Sequence, residues 1–317
     1  MALIRGLTNL KRLASRADSP LADGCVMTVG NFDGVHRGHQ TILGQVRSSA
    51  RRLGVPSVVM VFEPQPREFF QGADAPSRLM GFRQKYEALI AEGVDYVLCI
   101  RFDERFRQYS AMGFIEDVLI DGLSVRHIVV GDDFRFGNDR SGDFKLLVKV
   151  GEERDFTVEN TQTVTVEGER VSSTRIRNCL SQGLLGEAET LLGRPYAIAG
   201  RVVYGRQLGR QLDCPTANIR LTGVPPMRGV CVVTVDGESV EPEQPGVANI
   251  GYRPTVDGRM PALEVHLLDF SQSLYGERLT VTFRHYLRNE TNFDSLEKLQ
   301  KQIQVDIEQA RDWFRHH

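Results

Sequence analysis

The sequence predicts an α/β plus β-barrel architecture: a parallel sheet with helices on both faces, then a small antiparallel β-barrel closed by a long helix. Three observations carry this reading. Short apolar runs without alternation punctuate the first half and are separated by helical segments. From about Tyr196 the strands crowd together between Gly and Pro clusters. The chain ends in a long amphipathic stretch.

Taken in order, Met1 to Ala17 is basic and places Leu3, Leu7, Leu10 and Leu13 on one helical face. It reads as a short surface helix leading into the first strand, in preference to a transit peptide. The runs Cys25–Val29, Ser57–Phe62, Tyr96–Ile100 and His127–Val130 are rich in Val, Ile or Cys, as expected of strands buried on both faces. Helical segments lie between them at His39–Leu53, Gly81–Ala91 and Ser110–Ile120. Strand–helix–strand repetition implies a parallel sheet, and ligands of such sheets sit at the carboxyl ends of the strands. The informative loops therefore follow Val29, Phe62, Ile100 and Val130.

A helical joint with several glycines is expected in Asn178–Arg194, dividing the chain into domains 1–186 and 187–317. The second half offers strands at Ala197–Val203, Val230–Val235, Val247–Ile250, Leu263–Leu268 and Leu279–Phe283, the pattern of a small barrel. Asp294 with Glu297 reads as a capping box. Leu296, Leu299, Ile303, Ile307, Ala310 and Phe314 then form an apolar stripe for packing on the barrel.

The 317 residues carry 39 Lys+Arg and 41 Asp+Glu, so no bulk positive field exists to hold nucleic acid or an anionic membrane. The five cysteines include no C-x-x-C pair, which points to a reduced, cytoplasmic setting and away from a disulfide framework. No apolar run approaches the ~20 residues of a membrane span. Oligomeric state is not legible.

The segment Gly30-Asn31-Phe32-Asp33-Gly34-Val35-His36-Arg37-Gly38-His39 directly follows the first buried strand. His36 and His39 share a face near a helix start, where free N–H groups and the dipole suit a phosphate. Gly34 and Gly38 admit close backbone approach. Together they read as a triphosphate site in which imidazoles neutralise charge on a reacting phosphate. A zinc pair or two surface histidines are the alternatives. Further along, Phe62, Pro64 and Pro66 form a rigid turn with an aromatic wall. Asp133, Phe134 and Phe136 combine a polar anchor with stacking surfaces, unless the aromatics return to the core. Ser173 and Thr174 suit helix capping or phosphate contact, and Arg170, Arg175 and Arg177 offer positive charge.

The second half carries Gly205-Arg206-Gln207-Leu208-Gly209-Arg210 and then Pro215-Thr216-Ala217-Asn218. A glycine-rich arch cradles phosphates through backbone N–H groups. Thr216 and Asn218 are hard oxygen donors on one face of an extended chain, suited to Mg²⁺. The alternative is a Gly-rich hairpin followed by a Pro-initiated turn. Glu264 interrupts an apolar strand, which gives it either a task or a place on the polar face.

The first stretch resembles the H-x-G-H nucleotidylyltransferase superfamily, whose sheet is Rossmann-like. The whole chain resembles the bacterial bifunctional riboflavin kinase/FAD synthetases, from about Ile4 to Phe314. The pieces appear in order: Phe62-Glu63-Pro64-Gln65-Pro66, Gly131 to Gly137, Ser172 to Arg177, Gly205 to Asn218, Pro245 to Gly251 with Arg253-Pro254-Thr255, and Leu263 to Asp269. The resemblance implies two ATP-dependent steps using a divalent cation: riboflavin to FMN in the C-terminal part, then FMN to FAD with release of pyrophosphate in the N-terminal part. It implies His36 and His39 as the groups acting on ATP in adenylylation. It also implies Glu264 as the base for the riboflavin hydroxyl, and Arg288, Glu290 and Phe293 near the flavin. Gln65, Asp213 and Cys231 depart from the family pattern.

Overall fold

A computed structural model of the chain describes residues 2–131, 133–204, 215–221, 223–255 and 258–317. By their contacts these residues form two compact units, one of Met1–Pro76 with Phe82–Val171 and the other of Ser77–Gly81 with Ser172–His317. The division falls ahead of the glycine-bearing stretch Asn178–Arg194.

The strands of the first sheet are β1 (Ala2–Arg5), β2 (Cys25–Val29), β3 (Ser57–Phe62), β4 (Tyr96–Ile100), β5 (Val125–Gly131) and β6 (Thr157–Thr161). They lie in the order β1-β4-β3-β2-β5-β6, each pair parallel. β2 is buried along its whole length, which explains its unbroken apolar sequence. Helices α1 (Gly6–Ala14), α2 (Arg37–Leu53), α3 (Pro66–Gln71), α4 (Phe82–Ala91), α5 (Ala111–Phe114, continued by a π-helical segment Ile115–Ile120) and α6 (Phe144–Arg154) connect them. A small hairpin of β7 (Thr165–Val166) and β8 (Glu169–Arg170) ends the unit.

The N-terminal expectation is corrected. Residues 2–5 are an edge strand whose Leu3 pairs with Val97, and the helix starts only at Gly6. Leu10 is buried in the main core, against which Leu7 and Leu13 pack. The leucine spacing fits a helix, but the unpaired edge of β4 recruits the first residues into the sheet.

The second unit comprises α7 (Ser173–Ser181), α8 (Leu185–Leu192), β9 (Ala197–Val203), β10 (Ala217–Ile219), β11 (Gly229–Asp236), β12 (Gln244–Thr255), β13 (Gly258–Leu267), β14 (Arg278–Arg288) and α9 (Leu296–His316). Its strands close into a barrel in the order β10-β13-β12-β11-β14-β9, with β9 pairing back to β10. Ile219, Cys231, Val233, Ala248, Ile250, Val265 and Phe283 are buried on the alternation that fills the interior. Val230, Val232, Val247 and Leu268 belong to the outer alternation, and α9 covers them with Ile307, Ala310, Trp313 and Phe314. The cap of α9 is also corrected: the Ser295 side chain accepts the Lys298 N–H, while Asp294 pairs with the Lys298 ammonium at 2.9 Å. Leu296, expected in the apolar stripe, is exposed.

Candidate active sites

In the first unit, β2 ends at Val29 and a tight loop carries the chain to α2. Phe32 and Val35 adopt φ of 46° and 41°, with Gly34 at 91° between them. A valine at positive φ is strained by about 1–3 kcal/mol, so the surrounding structure must hold it there. Phe32 and Asp33 are buried, and Asn31 is exposed. The loop delivers His36 to the N-cap of α2, buried, where its Nδ1 accepts the backbone N–H of His39 at 3.3 Å. That bond assigns the proton of the neutral His36 ring to Nε2. The two imidazoles stack with centroids 3.6 Å apart, and Phe32 backs His39 at 4.9 Å. A Cβ at Gly38 would stand 3.3 Å from the His36 ring, so a larger residue there would push the imidazole aside. Gly30, which opens the loop, donates its N–H to Met60 O on β3. The pair is thus a rigid, donor-bearing surface at the positive end of a helix.

After β3, Pro64 follows a cis peptide bond and Pro66 begins α3. Phe62 joins an aromatic group that the sequence reading missed. Phe69, Phe70, Phe102 and Phe106 pack with it at centroid distances of 5.3 to 5.9 Å, and Phe70 is exposed. Their position was open to sequence reasoning, since they follow β3 and β4 at the carboxyl ends. Phe136 returns to the core, buried against Phe114 and beside Gly142, so it offers no open stacking face. Phe134 stacks on it at 5.3 Å. Asp133 pairs with Arg170 at 3.1 Å, which joins two distant motifs.

The helix cap expected of Ser173 or Thr174 belongs to Ser172, whose hydroxyl accepts the Arg175 N–H at 3.2 Å. Ser173 and Thr174 stand in the first turn of α7. Arg177 donates through Nε to Ser77 O at 2.5 Å.

In the second unit, strand register aligns the site. Asn218 on β10 faces Glu264 on β13, Glu264 faces Asn249 on β12, Asn249 faces Val230 on β11, and Val230 faces Arg288 on β14. This cross-strand row lies on the outer alternation, under α9. A cavity of about 310 Å³ there is lined by Thr216, Glu264, Arg288, Glu290 and Phe293, all expected at the site. Its apolar wall is Val230, Val247, Leu299, Ile303 and Ile307. Asn218 is buried, and its amide nitrogen donates to Thr216 O at 3.5 Å, which leaves the acceptor role to its oxygen. The hydroxyl, amide oxygen and neighbouring carboxylate are a hard donor set that fits Mg²⁺.

Asn249, His266 and Asp306 also line the cavity, and sequence reasoning missed them. His266 Nδ1 lies 3.0 Å from Pro215 O and ties the Thr216 segment to β13. Asp306 hid within an apolar stripe, with only Gln302 one turn away to mark it. Partial desolvation raises the Glu290 carboxyl above the usual carboxylate range, and the charge of Glu264 adds to this. The Asn249 hydrogen bond, Arg228 and Arg288 oppose it. Cys231 faces the barrel interior, and burial pushes its thiol up to about 12, so it is packing and not a nucleophile. Gly205, Arg206, Gly209, Arg210 and Asp213 lie outside the described residues.

The family model described as FAD synthetase matches residues 18–175, and that described as Riboflavin kinase matches residues 192–314. The chain is 53% identical over 315 residues to a bifunctional riboflavin kinase/FMN adenylyltransferase of Pseudomonas fluorescens, covering 98% of this chain and 97% of that one. The relative of the same description from Escherichia coli (strain K12) is 49% identical, covering 99% and 98%. A crystal structure from Streptococcus pneumoniae, titled a macrolide-efflux protein, superposes with a TM-score of 0.77 at 32% identity, covering 92% of this chain and 94% of that one. Among the described residues, no helix is long and apolar enough to cross a membrane.

Proposed function

This chain belongs to the bifunctional riboflavin kinase/FMN adenylyltransferase family, and we propose which residues carry each of its two reactions. Its C-terminal part phosphorylates riboflavin to FMN, and its N-terminal part adenylylates FMN to FAD. ATP, riboflavin and FMN are its substrates. We assign adenylylation to residues 1–186 and phosphorylation to 187–317, a division bracketed by the two family matches.

The observation that carries the kinase assignment is the cross-strand row ending in Asn218 and Glu264 above a cavity with one polar and one apolar wall. A flavin ring fits the apolar wall under α9, near Phe293 and Glu290. The ribityl chain then runs along the row towards Glu264. The Glu264 carboxylate accepts the proton of the 5′-hydroxyl as that oxygen attacks the γ-phosphorus of ATP. Thr216 and Asn218 would hold Mg²⁺, which when bound supplies charge neutralisation to the transferring phosphoryl group. The glycine-rich segment from Gly205 to Arg210 is assigned to the ATP phosphates.

In adenylylation no protein nucleophile is needed, because the FMN phosphate attacks the α-phosphorus itself. His36 donates from Nε2 to a phosphate oxygen of ATP, and His39, held against it by stacking and by Phe32, adds a second donor. The free N–H groups of the first turn of α2 add to this field. Arg170, Ser173, Thr174, Arg175 and Arg177 are assigned to the departing pyrophosphate. The flavin of FMN is assigned to Phe62, Pro64 and Pro66 with Asp133 and Phe134. Phe136 supports Phe134 from the core.

We place the protein in a reducing compartment, the cytoplasm, since Cys25, Cys99, Cys179 and Cys231 are unpaired. Incubation of the purified chain with riboflavin, ATP and Mg²⁺, with flavins separated over time, tests the whole reading. FMN must appear before FAD, with pyrophosphate released only in the second step. FMN accumulation without FAD would remove the His36 assignment.

A further inference from the structure

Asp306 sits where the packing of α9 calls for an apolar residue. It lies between Ile303 and Ile307 on the face that covers the barrel, and it is 3% exposed. A buried carboxylate is costly unless paired, and a buried ion pair is seldom more stabilising than apolar residues of equal volume. Stability therefore does not account for it. Its partner is Arg288 at the far end of the cross-strand row. Arg288 donates from Nε to Oδ1 at 2.8 Å and from Nη2 to Oδ2 at 2.7 Å. Gln302 donates to the same Oδ1 at 2.9 Å, and Arg288 Nη1 donates to Asn289 O at 3.0 Å. Three of the five guanidinium N–H groups are thus taken by Asp306 and the backbone, which fixes the plane of the group. Held in this plane, it also presents a flat face, with Cζ 5.9 Å from the Phe293 ring centroid. Arg288 stands three strand spacings from Glu264 along the row, roughly 14 Å. That span separates the reacting hydroxyl of a riboflavin laid along the row from the far side of its ring.

We propose that Asp306 is a positioning residue of the riboflavin kinase site. By clamping Arg288 it presents the guanidinium face as a wall for the flavin ring, and so governs flavin affinity and not the phosphoryl-transfer step. This rests on reading the cavity beneath α9 as the flavin site of the kinase. The family resemblance implied only that Arg288 lies near the flavin. The geometry assigns it a stacking surface fixed from behind.

The test uses the full chain. Riboflavin binding is followed by flavin fluorescence without ATP, and kinase kinetics are measured separately for riboflavin and ATP. Asp306→Asn is expected to raise the riboflavin Kd and KM about tenfold while kcat and the KM for ATP stay within about twofold. Arg288→Lys, which lacks the planar fork, should do the same, and the double variant should be no worse than either single one. Unchanged riboflavin affinity in Asp306→Asn, an equal rise in the KM for ATP, or additive effects in the double variant would each overturn the proposal. Trp313, the only tryptophan in the chain, lies on α9 and reports by its emission whether the helix remains docked. Should Asp306→Asn undock it, Arg288→Met with Asp306→Leu keeps the volume apolar, and this folded variant must still bind riboflavin weakly. Native affinity in that variant would end the proposal. If Glu264→Gln phosphorylates riboflavin at the normal rate, the cavity reading itself fails and the inference falls with it.

Discussion

Asn218 and Glu264 stand directly opposite one another on neighbouring antiparallel strands, on the outer face of a barrel whose inner face is closed by aliphatic side chains. Directly paired residues hold their Cβ atoms about 4.5–5.5 Å apart. A proposed metal ligand and a proposed base are therefore spaced by backbone pairing, with no loop between them to loosen it.

Glu264→Gln keeps the shape of the cavity and removes the proton acceptor. Riboflavin phosphorylation should fall by about 10²–10⁴-fold. FAD formation from supplied FMN should proceed at the normal rate, and a parallel assay of both reactions reads the split.

His36→Ala removes the Nε2 donor, leaves the His39 N–H without its acceptor, and unstacks His39. FAD formation should drop by roughly 10²–10³-fold, the cost of losing a charge-stabilising donor. Riboflavin phosphorylation should be untouched. Loss of kinase activity in a folded variant would contradict the assignment of the two reactions to separate sites.

At Gly251 an added Cβ would overlap the carboxylate of Glu290. The clash is with the tip of a flexible side chain, so Gly251→Ala should fold with a near-native Tm while displacing Glu290 from the cavity. Riboflavin phosphorylation should weaken by about 10-fold or more, since displacements near 1 Å cost that much. A normal KM for riboflavin would show that Glu290 does not contact the flavin.

His127 lies on β5 and its side chain reaches β6, hydrogen-bonded to Thr157 at 2.6 Å and to Glu159 at 3.2 Å. Burial pulls its imidazole below the ordinary value, with Glu159 opposing. The unfolded chain then takes up this proton first as pH falls. The His127 contribution to stability is intact above the ordinary imidazole value of about 6.5 and is lost as pH drops below it. Melting curves from pH 8 to pH 5 should show Tm falling below about pH 6.5, and His127→Gln should flatten that fall. An equal slope in both proteins would assign it to other groups.

The parts of this fold that could be read in advance share one property: their burial is uniform. β2 and β3 are covered on both faces, so their runs are apolar without a break, and their limits Cys25–Val29 and Ser57–Phe62 are legible residue by residue. β1 was misread because Leu3 and Leu7 fit a helical spacing, and only the edge of β4 decides otherwise. β10 spans just Ala217–Ile219, too short for a periodic signal. In the candidate sites, the placement of His36 and His39 at the start of α2 and of Glu264 on the cavity was legible because each is conspicuous in its sequence setting. Asp306 was not, because its meaning lies in Arg288, brought to it by folding. Phe136 shows the opposite failure, a conspicuous aromatic that the core claims.

The cross-strand row also says something about which genetic lesions this gene can bear. Side chains along β13 alternate between the barrel interior and the cavity, with Leu263 and Val265 inside and Glu264 between them outside. Loss or gain of one codon within that strand would exchange the two sets, turning Glu264 into the barrel and Val265 towards the cavity. Most point substitutions in β13 can be graded by size and polarity. A single-codon frame-preserving deletion there would instead remove the proposed catalytic carboxylate from the cavity and bury a charge in one event, although every residue type the proposed chemistry needs would still be encoded.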